Sequence, residues 1–291
     1  MNMTNAIAGR VVLGRYELEA RLGRGASASV FAGRSLRSGA RVAVKLSTHL
    51  DGLPRARFLR EAELLSRVMH PNVVRILDFG ELPDGTQVMV MEFIAGESLE
   101  EVLVARGALP WREASDIACG VLSGLEALHG SGIIHRDIKP SNVLIERGLR
   151  PTVKVIDLGV SRDMLATSRP LTAVGMIVGT VAFMAPEHIA QEPVDERSDL
   201  YSVGVTLYEL LTGKLPFDGP AALMAANKLR YSGVYELRVP ADTPAPPAAL
   251  VTLVSSLLRR RPDERPSSAS ECLDALRAIL VGRSIAPRMP S

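Results

Sequence analysis

Ten residues, "IIHRDIKPSN" from Ile133 to Asn142, set a histidine, an arginine, an aspartate, a lysine and an asparagine between one apolar run and the next, "VLI". These are side chains of acid–base and ion-binding chemistry, placed where a chain would otherwise be building core. Taken alone, the stretch could equally be a turn with a salt-bridged aspartate. Three further places hold residues of the same kind. "GRGASAS" begins at Gly23, but 24 glycines in 291 residues give about two chance G-x-G pairs, so by itself it reads as a hairpin turn. Lys45 in "RVAVKL" is a poor surface lysine, because its neighbours are apolar and a buried, unpaired ammonium is costly. Asp157 stands next to last in the strand-like "TVKVIDL".

The elements that must position these residues change character along the chain. From Tyr16 to Leu46, "YELEARL", "ASVFAGR" and "RVAVKL" read as an antiparallel meander broken by glycine and serine clusters. "RARFLREAELLSRVM" follows with the apolar spacing of an amphipathic helix, ended by "HP". Strands return at "VVRILDFGEL" and "QVMVMEF" around a "PDG" turn. Beyond Gly96 the pattern is helical, in "SLEEVLVARG", "PWREASDIACGVLSGLEALHGSG", "DLYSVGVTLYELLTG", "PAALMAANKLR", "AALVTLVSSLLRR" and "SASECLDALRAILVG", with short strands at "NVLIE" and "TVKVIDL". In the last helix Ser268 stands three residues before Glu271, a capping box, and Gly282 marks its end. The expected organisation is an N-terminal extension over 1–15, a sheet-rich lobe with one helix over 16–91, a hinge over 92–96, a helical lobe over 97–282 and a disordered tail over 283–291.

Composition narrows the classes. The balance of 34 Lys and Arg against 32 Asp and Glu is scattered along the chain, so no nucleic-acid footprint is expected. Cys119 and Cys272 lie far apart in helix-like patterns, the usage of a reducing compartment. Both read as small core residues. No run of 18 or more apolar residues occurs, so no membrane segment is expected. The chain reads as cytoplasmic, either whole or as the cytoplasmic part of a longer membrane-anchored protein. His49, His70, His129 and His188 show no metal-ligand spacing and read as surface or helix-end residues, and Trp111 as a packing anchor.

Taken in order, "GRGASAS", "VAVK", a glutamate in the next helix, "HRDIKPSN", "DLG" and "APE" resemble the signature set of the protein kinases. The likeness runs from about Tyr16 to Leu280, and within the family it points to the bacterial serine/threonine kinases of eukaryotic type. It implies an α+β, two-lobed fold: an N-lobe with a five-stranded antiparallel sheet and one helix, and a larger, mainly helical C-lobe. It implies transfer of the γ-phosphate of ATP to Ser and Thr hydroxyls of proteins, with Mg²⁺ or Mn²⁺ as metal, and autophosphorylation. Dimerisation through the N-lobe is a family habit that nothing in the sequence locates.

The resemblance also assigns residues. Leu22, Gly23, Gly25, Val30 and Ala43 would enclose the nucleotide, with Met91, Glu92 and Phe93 as the hinge and Leu144 below. Ala28 stands where the family has its third glycine. Lys45 would hold the α and β phosphates, paired with Glu61 or Glu63; Glu61 fits the family's spacing to "HPN" better. Asp137 would accept the proton of the attacking hydroxyl, Lys139 would reach the γ-phosphate, and Asn142 and Asp157 would bind the metal. Leu158 replaces the usual Phe, and Gly159 gives its segment freedom to move. Arg136 would be neutralised by a phosphate on the segment from Ser161 to Thr180, at Thr172 first and then at Thr167 or Ser168. Asp199 would hold the catalytic-loop backbone, and Glu187 would pair with Arg265. Two rivals remain at this stage. A pseudokinase would keep the fold and act as a nucleotide-binding scaffold. A dinucleotide-binding oxidoreductase would need a helix after the glycines, where this sequence has a strand.

Overall fold

The computed structural model describes residues 9–24, 28–47, 55–148, 151–157, 178–231, 233, 235–241 and 243–282. The chain divides into two compact units, Met1–Ala95 and Gly96–Ser291.

The first unit is built on an antiparallel sheet of β1 (Val11–Val12), β2 (Tyr16–Arg24), β3 (Ala28–Ser35), β4 (Arg41–Ser47), β5 (Ile76–Glu81) and β6 (Gln87–Glu92), with α1 (Arg55–Ser66) between β4 and β5. The spatial order is β1-β2-β3-β4-β6-β5. In β4 the alternation is clean. Val42, Val44 and Leu46 are buried and join Leu18, Phe31, Val88 and Val90 in a core, while Ala43 and Lys45 face the other way. α1 buries Ala62 and Leu65 on one stripe. Among the described residues the sheet has six strands rather than five, because "VV" pairs with β2 through Val11 opposite Glu17 and Val12 opposite Tyr16. Two residues show no alternation, so the sequence could not announce this strand. Its worth comes from packing, since Val12 is wholly buried.

The second unit opens with β7 (Gly96–Ser98), α2 (Leu99–Arg106) and α3 (Trp111–Gly130), then β8 (Val143–Glu146) and β9 (Thr152–Val155). β7, β8 and β9 form an antiparallel three-stranded sheet. The helices α4 (Val178–Phe183), α5 (Pro186–Ile189), α6 (Glu196–Thr212), α7 (Ala221–Arg230), α8 (Ala248–Leu257) and α9 (Ala269–Leu280) follow. α6 is buried on nearly every side, with Leu200, Tyr201, Val203, Leu207 and Leu210 inaccessible, and it packs against α3, α4 and α8. A helix so enclosed serves as the unit's axis. Helix ends follow local chemistry. Ser98 caps α2 reciprocally with Glu101, and Gly213 closes α6 in the left-handed conformation. At α9 the expected box is only half made. Ser268 accepts from the Glu271 N–H, but the Glu271 carboxylate turns to the N–H and hydroxyl of Ser267.

Candidate active site

In the first unit Gly23, Val30, Lys45 and Met89 stand opposite one another across β2, β3, β4 and β6, with Ala43 opposite Met91 one rung along. Opposed residues of antiparallel strands share a face, so these side chains line the sheet face turned away from the core of that unit. Leu22 is half exposed beside them. A Cβ built on Gly23 would meet nothing within 4 Å among the described residues, whereas on Gly33 it would strike the Glu17 carbonyl oxygen at 2.7 Å. The sheet itself requires Gly33. The bareness of Gly23 leaves room over the strand, as close approach of a phosphate requires. Glu92 ends β6, where it both donates its N–H to the Arg75 carbonyl and accepts the Arg75 N–H on its carboxylate, each at 3.0 Å. Phe93 lies under the Arg41 guanidinium, 3.6 Å from the ring centroid. Glu63 forms an exposed pair with Arg67 at 2.6 Å. Glu61 belongs to α1, but its side chain lies outside the described residues, as does Gly25.

In the second unit the loop after α3 is held from behind by α6. The Asp199 carboxylate, fully buried, accepts the backbone N–H groups of His135 at 2.8 Å and Arg136 at 2.7 Å. His129, at the end of α3, places Nε2 2.9 Å from the same carboxylate. It is therefore a helix-end residue, one of the two readings the sequence allowed, but its side chain is a buried support and does not face solvent. His135 is a second crosslink. Its Nδ1 accepts the Asp137 N–H at 3.2 Å and its Nε2–H donates to the Ile156 carbonyl at 3.1 Å. That pattern requires the neutral ring. Complete burial, which lowers its pKa, favours the same form.

These supports bring the polar side chains together. Lys139 Nζ lies 3.1 Å from an Asp137 carboxylate oxygen. Asn142 Nδ2 donates to the Asp137 carbonyl at 2.8 Å, which leaves its amide oxygen for another partner, and the Asn142 carbonyl accepts the Ile156 N–H at 2.9 Å. Asp157 follows directly. Both Arg136 (φ 63°) and Asp157 (φ 57°) are left-handed without being glycine, a conformation costing roughly 1–3 kcal/mol that persists where surrounding bonds over-determine it. Here the bonds from Asp199, His135 and Asn142 do so. Leu144 sits in β8 opposite Lys154 and Ser98.

Farther along, Glu187 receives the Arg265 guanidinium through two contacts of 2.7 Å, with both side chains buried. Burial pushes the Glu187 carboxyl up, but Arg265 and Ser198 outweigh it and leave it below the ordinary value. Ser198 and Ser202 of α6, which the sequence reading passed over, bond to Glu187 and to the Phe183 carbonyl. Burial pushes the Cys119 and Cys272 thiols up to about 11 and about 12, away from reactive thiolates; Cys272 is a core residue as expected, whereas Cys119 is only partly buried. Leu158, Gly159, Thr167, Ser168 and Thr172 lie outside the described residues.

The donor set suits a hard cation. Asn142 and Asp157 offer oxygen ligands, and Mg²⁺ is characteristically held by one or two carboxylates together with phosphates. Among the described residues no three His, Cys, Asp or Glu converge on one point, and no helix is long and apolar enough to cross a membrane.

Comparison with known proteins gives the same picture from a separate direction. The family model described as "Protein kinase domain" matches residues 16–276. The chain is 37% identical over 95% of its length to the serine/threonine-protein kinase pkn3 of Myxococcus xanthus, and 39% identical over 92% to pkn2 of the same organism. It is 37% identical over 93% of its length to the probable serine/threonine-protein kinase PknB of Bifidobacterium longum. It spans 52%, 33% and 40% of those three relatives, a third to a half of each. With a match that takes in the loop around Asp137, the strand ending before Asp157 and the Glu187–Arg265 pair alike, the chain belongs to the protein kinase domain family.

Proposed function

We propose that this protein transfers the γ-phosphate of ATP to Ser and Thr hydroxyls of proteins, its own activation segment among them. The family works with ATP, a divalent metal and protein acceptors. The observation that carries the reading is the loop from His135 to Asn142, in which two backbone bonds to Asp199 and a neutral imidazole fix a carboxylate 3.1 Å from an ammonium.

Phosphoryl transfer asks for positioning, charge stabilisation and a proton acceptor. Asp137 orients the acceptor hydroxyl and takes its proton. Lys139 supplies positive charge beside the transferred group. Asn142 and Asp157 hold the metal through oxygen atoms, and a divalent ion bound there neutralises phosphate charge. Lys45 steadies the α and β phosphates and pairs with Glu61, a choice supported by the engagement of Glu63 with Arg67. Leu22, Gly23, Gly25, Val30, Ala43 and Leu144 enclose the nucleotide, and Met91 to Phe93 form the hinge. We take 16–91 and 97–282 as the two lobes and Mg²⁺ as the working metal.

The test is incubation with Mg·ATP beside Asp137→Asn and Lys45→Met variants, read by intact mass and phosphopeptide mapping. Asp137→Asn should abolish phosphorylation while ATP still raises Tm, because this carboxylate serves the acceptor. Lys45→Met should weaken both. Phosphorylation by Asp137→Asn at the unmutated rate would remove the assignment, and an inert wild type that still binds ATP would return the pseudokinase reading.

A further inference from the structure

α7 carries a lysine in an unusual place. Lys228 is 1% exposed, one helical turn after the buried Met224 and on the same stripe. Burying a cation is costly unless it is fully bonded. Lys228 is bonded: Nζ donates to the Ala182 carbonyl and, at 2.9 Å, to the Met184 carbonyl. It also lies 5.1 Å from the centroid of the Tyr201 ring, with the Arg265 guanidinium 5.0 Å from that ring. The carbonyls it receives are at the C-terminal end of α4, where a helix leaves acceptors unsatisfied and favours a cation.

The same short segment is held on another side by α6. Ser202 donates to the Phe183 carbonyl and Ser198 to Glu187, while Asp199, between those two serines, holds the backbone of His135 and Arg136. One turn of α6 thus fixes both the loop that carries Asp137 and the chain from Phe183 to Glu187. An acceptor hydroxyl has to reach Asp137, and the chain from Phe183 to Glu187 is tied to the same turn of α6 that holds the Asp137 loop.

We propose that Lys228 is a positioning residue for the protein acceptor: by clamping the Ala182 and Met184 carbonyls it fixes the backbone wall against which the acceptor chain lies. The inference rests on the kinase reading above, and it predicts a split. Loss of the clamp should impair use of the acceptor and spare use of ATP.

Its charge supplies a second readout. Burial pushes Lys228 down to about 7, with Glu187 on α5 acting in the opposite direction. Among the described residues the other charged or titratable groups at the cluster are Arg265 and Tyr201, with Tyr235 beside both. Below about pH 7 the ammonium makes charge-assisted bonds, and above it a neutral amine makes weaker ones. Acceptor affinity in the wild type should therefore fall as pH rises through about 7.

The experiment compares wild type with Lys228→Met, which removes the donors, and Lys228→Gln, which keeps two N–H donors without charge. Casein serves as acceptor. Amide exchange of residues 178–187, followed by mass spectrometry, reads the clamp without reference to activity. We expect Lys228→Met to raise the casein KM about tenfold, to leave the ATP KM within about twofold and to speed exchange in 178–187 selectively. Lys228→Gln should recover part of the casein KM and show no pH step near 7. Equal changes in both KM values, unchanged exchange, or a pH step that survives in Lys228→Gln would overturn the proposal. If Lys228→Met fails to fold, the Lys228→Gln pH profile and exchange decide alone. Faster exchange in a protein whose wild type phosphorylates nothing would sink the kinase reading and the acceptor role built on it, leaving Lys228 a clamp only.

Discussion

Glu187 and Arg265 show what a single buried pair is worth. Both side chains are shielded from water and meet at 2.7 Å through two contacts, and Ser198 donates a further bond to the same carboxylate. Removing one partner strands the other charge, which is far more damaging than the pair is stabilising. Arg265→Met should lower stability by about 3–5 kcal/mol in urea unfolding, and adding Glu187→Gln to it should restore a good part. A double variant no more stable than the single one would mean that the pair is not what Arg265 provides. The sequence alone supports the pairing only through family resemblance, since 78 positions separate the two residues. His129 is the converse case. Nothing in "EALHGSG" distinguishes a fraying helix end from a buried imidazole 2.9 Å from Asp199, because what buries it is α6, far along the chain.

At the scale of elements, close packing of α3 on β9 explains a residue that helix propensity disfavours. Gly120 sits inside α3, where glycine costs about 1 kcal/mol relative to alanine. A Cβ there would fall 2.6 Å from the Val153 Cβ on β9, so helix and strand could not approach as they do. Gly120→Ala should therefore destabilise by about 1–3 kcal/mol, against the gain expected from propensity, and Val153→Ala, which keeps the Cβ but removes the Cγ atoms at 3.1 and 3.2 Å, should relieve only a small part of it. A Tm that rises in Gly120→Ala would show the contact to be slack. The periodicity of "ASDIACGVLSGLEALHG" identifies this helix from sequence, but the reason for its glycine is visible only where β9 crosses it. The reverse holds for α2, whose "SLEE" start already writes out the capping box that the fold realises.

At the scale of the molecule, regulation is expected to enter through the chain between Asp157 and α4. Arg136 adjoins Asp137 in a strained backbone conformation, and a phosphate on Thr172 would bring two negative charges and strong acceptors to that cation. Thr172→Ala should leave ATP binding unchanged and lower the rate on casein about tenfold or more relative to the phosphorylated wild type; a variant that activates normally would pass the role to Thr167 or Ser168. Motif order, strand alternation in "RVAVKL" and the helix patterns beyond Gly96 were enough to name the fold family and to propose its chemistry, because phosphate, proton and metal each require particular side-chain types and those types are written in the sequence. The edge strand at Val11–Val12, the burial of His129 and the lysine clamp at Ala182 and Met184 were decided by tertiary structure. Each depends on which distant element supplies the partner, and a buried polar group is tolerated only where such partners meet it.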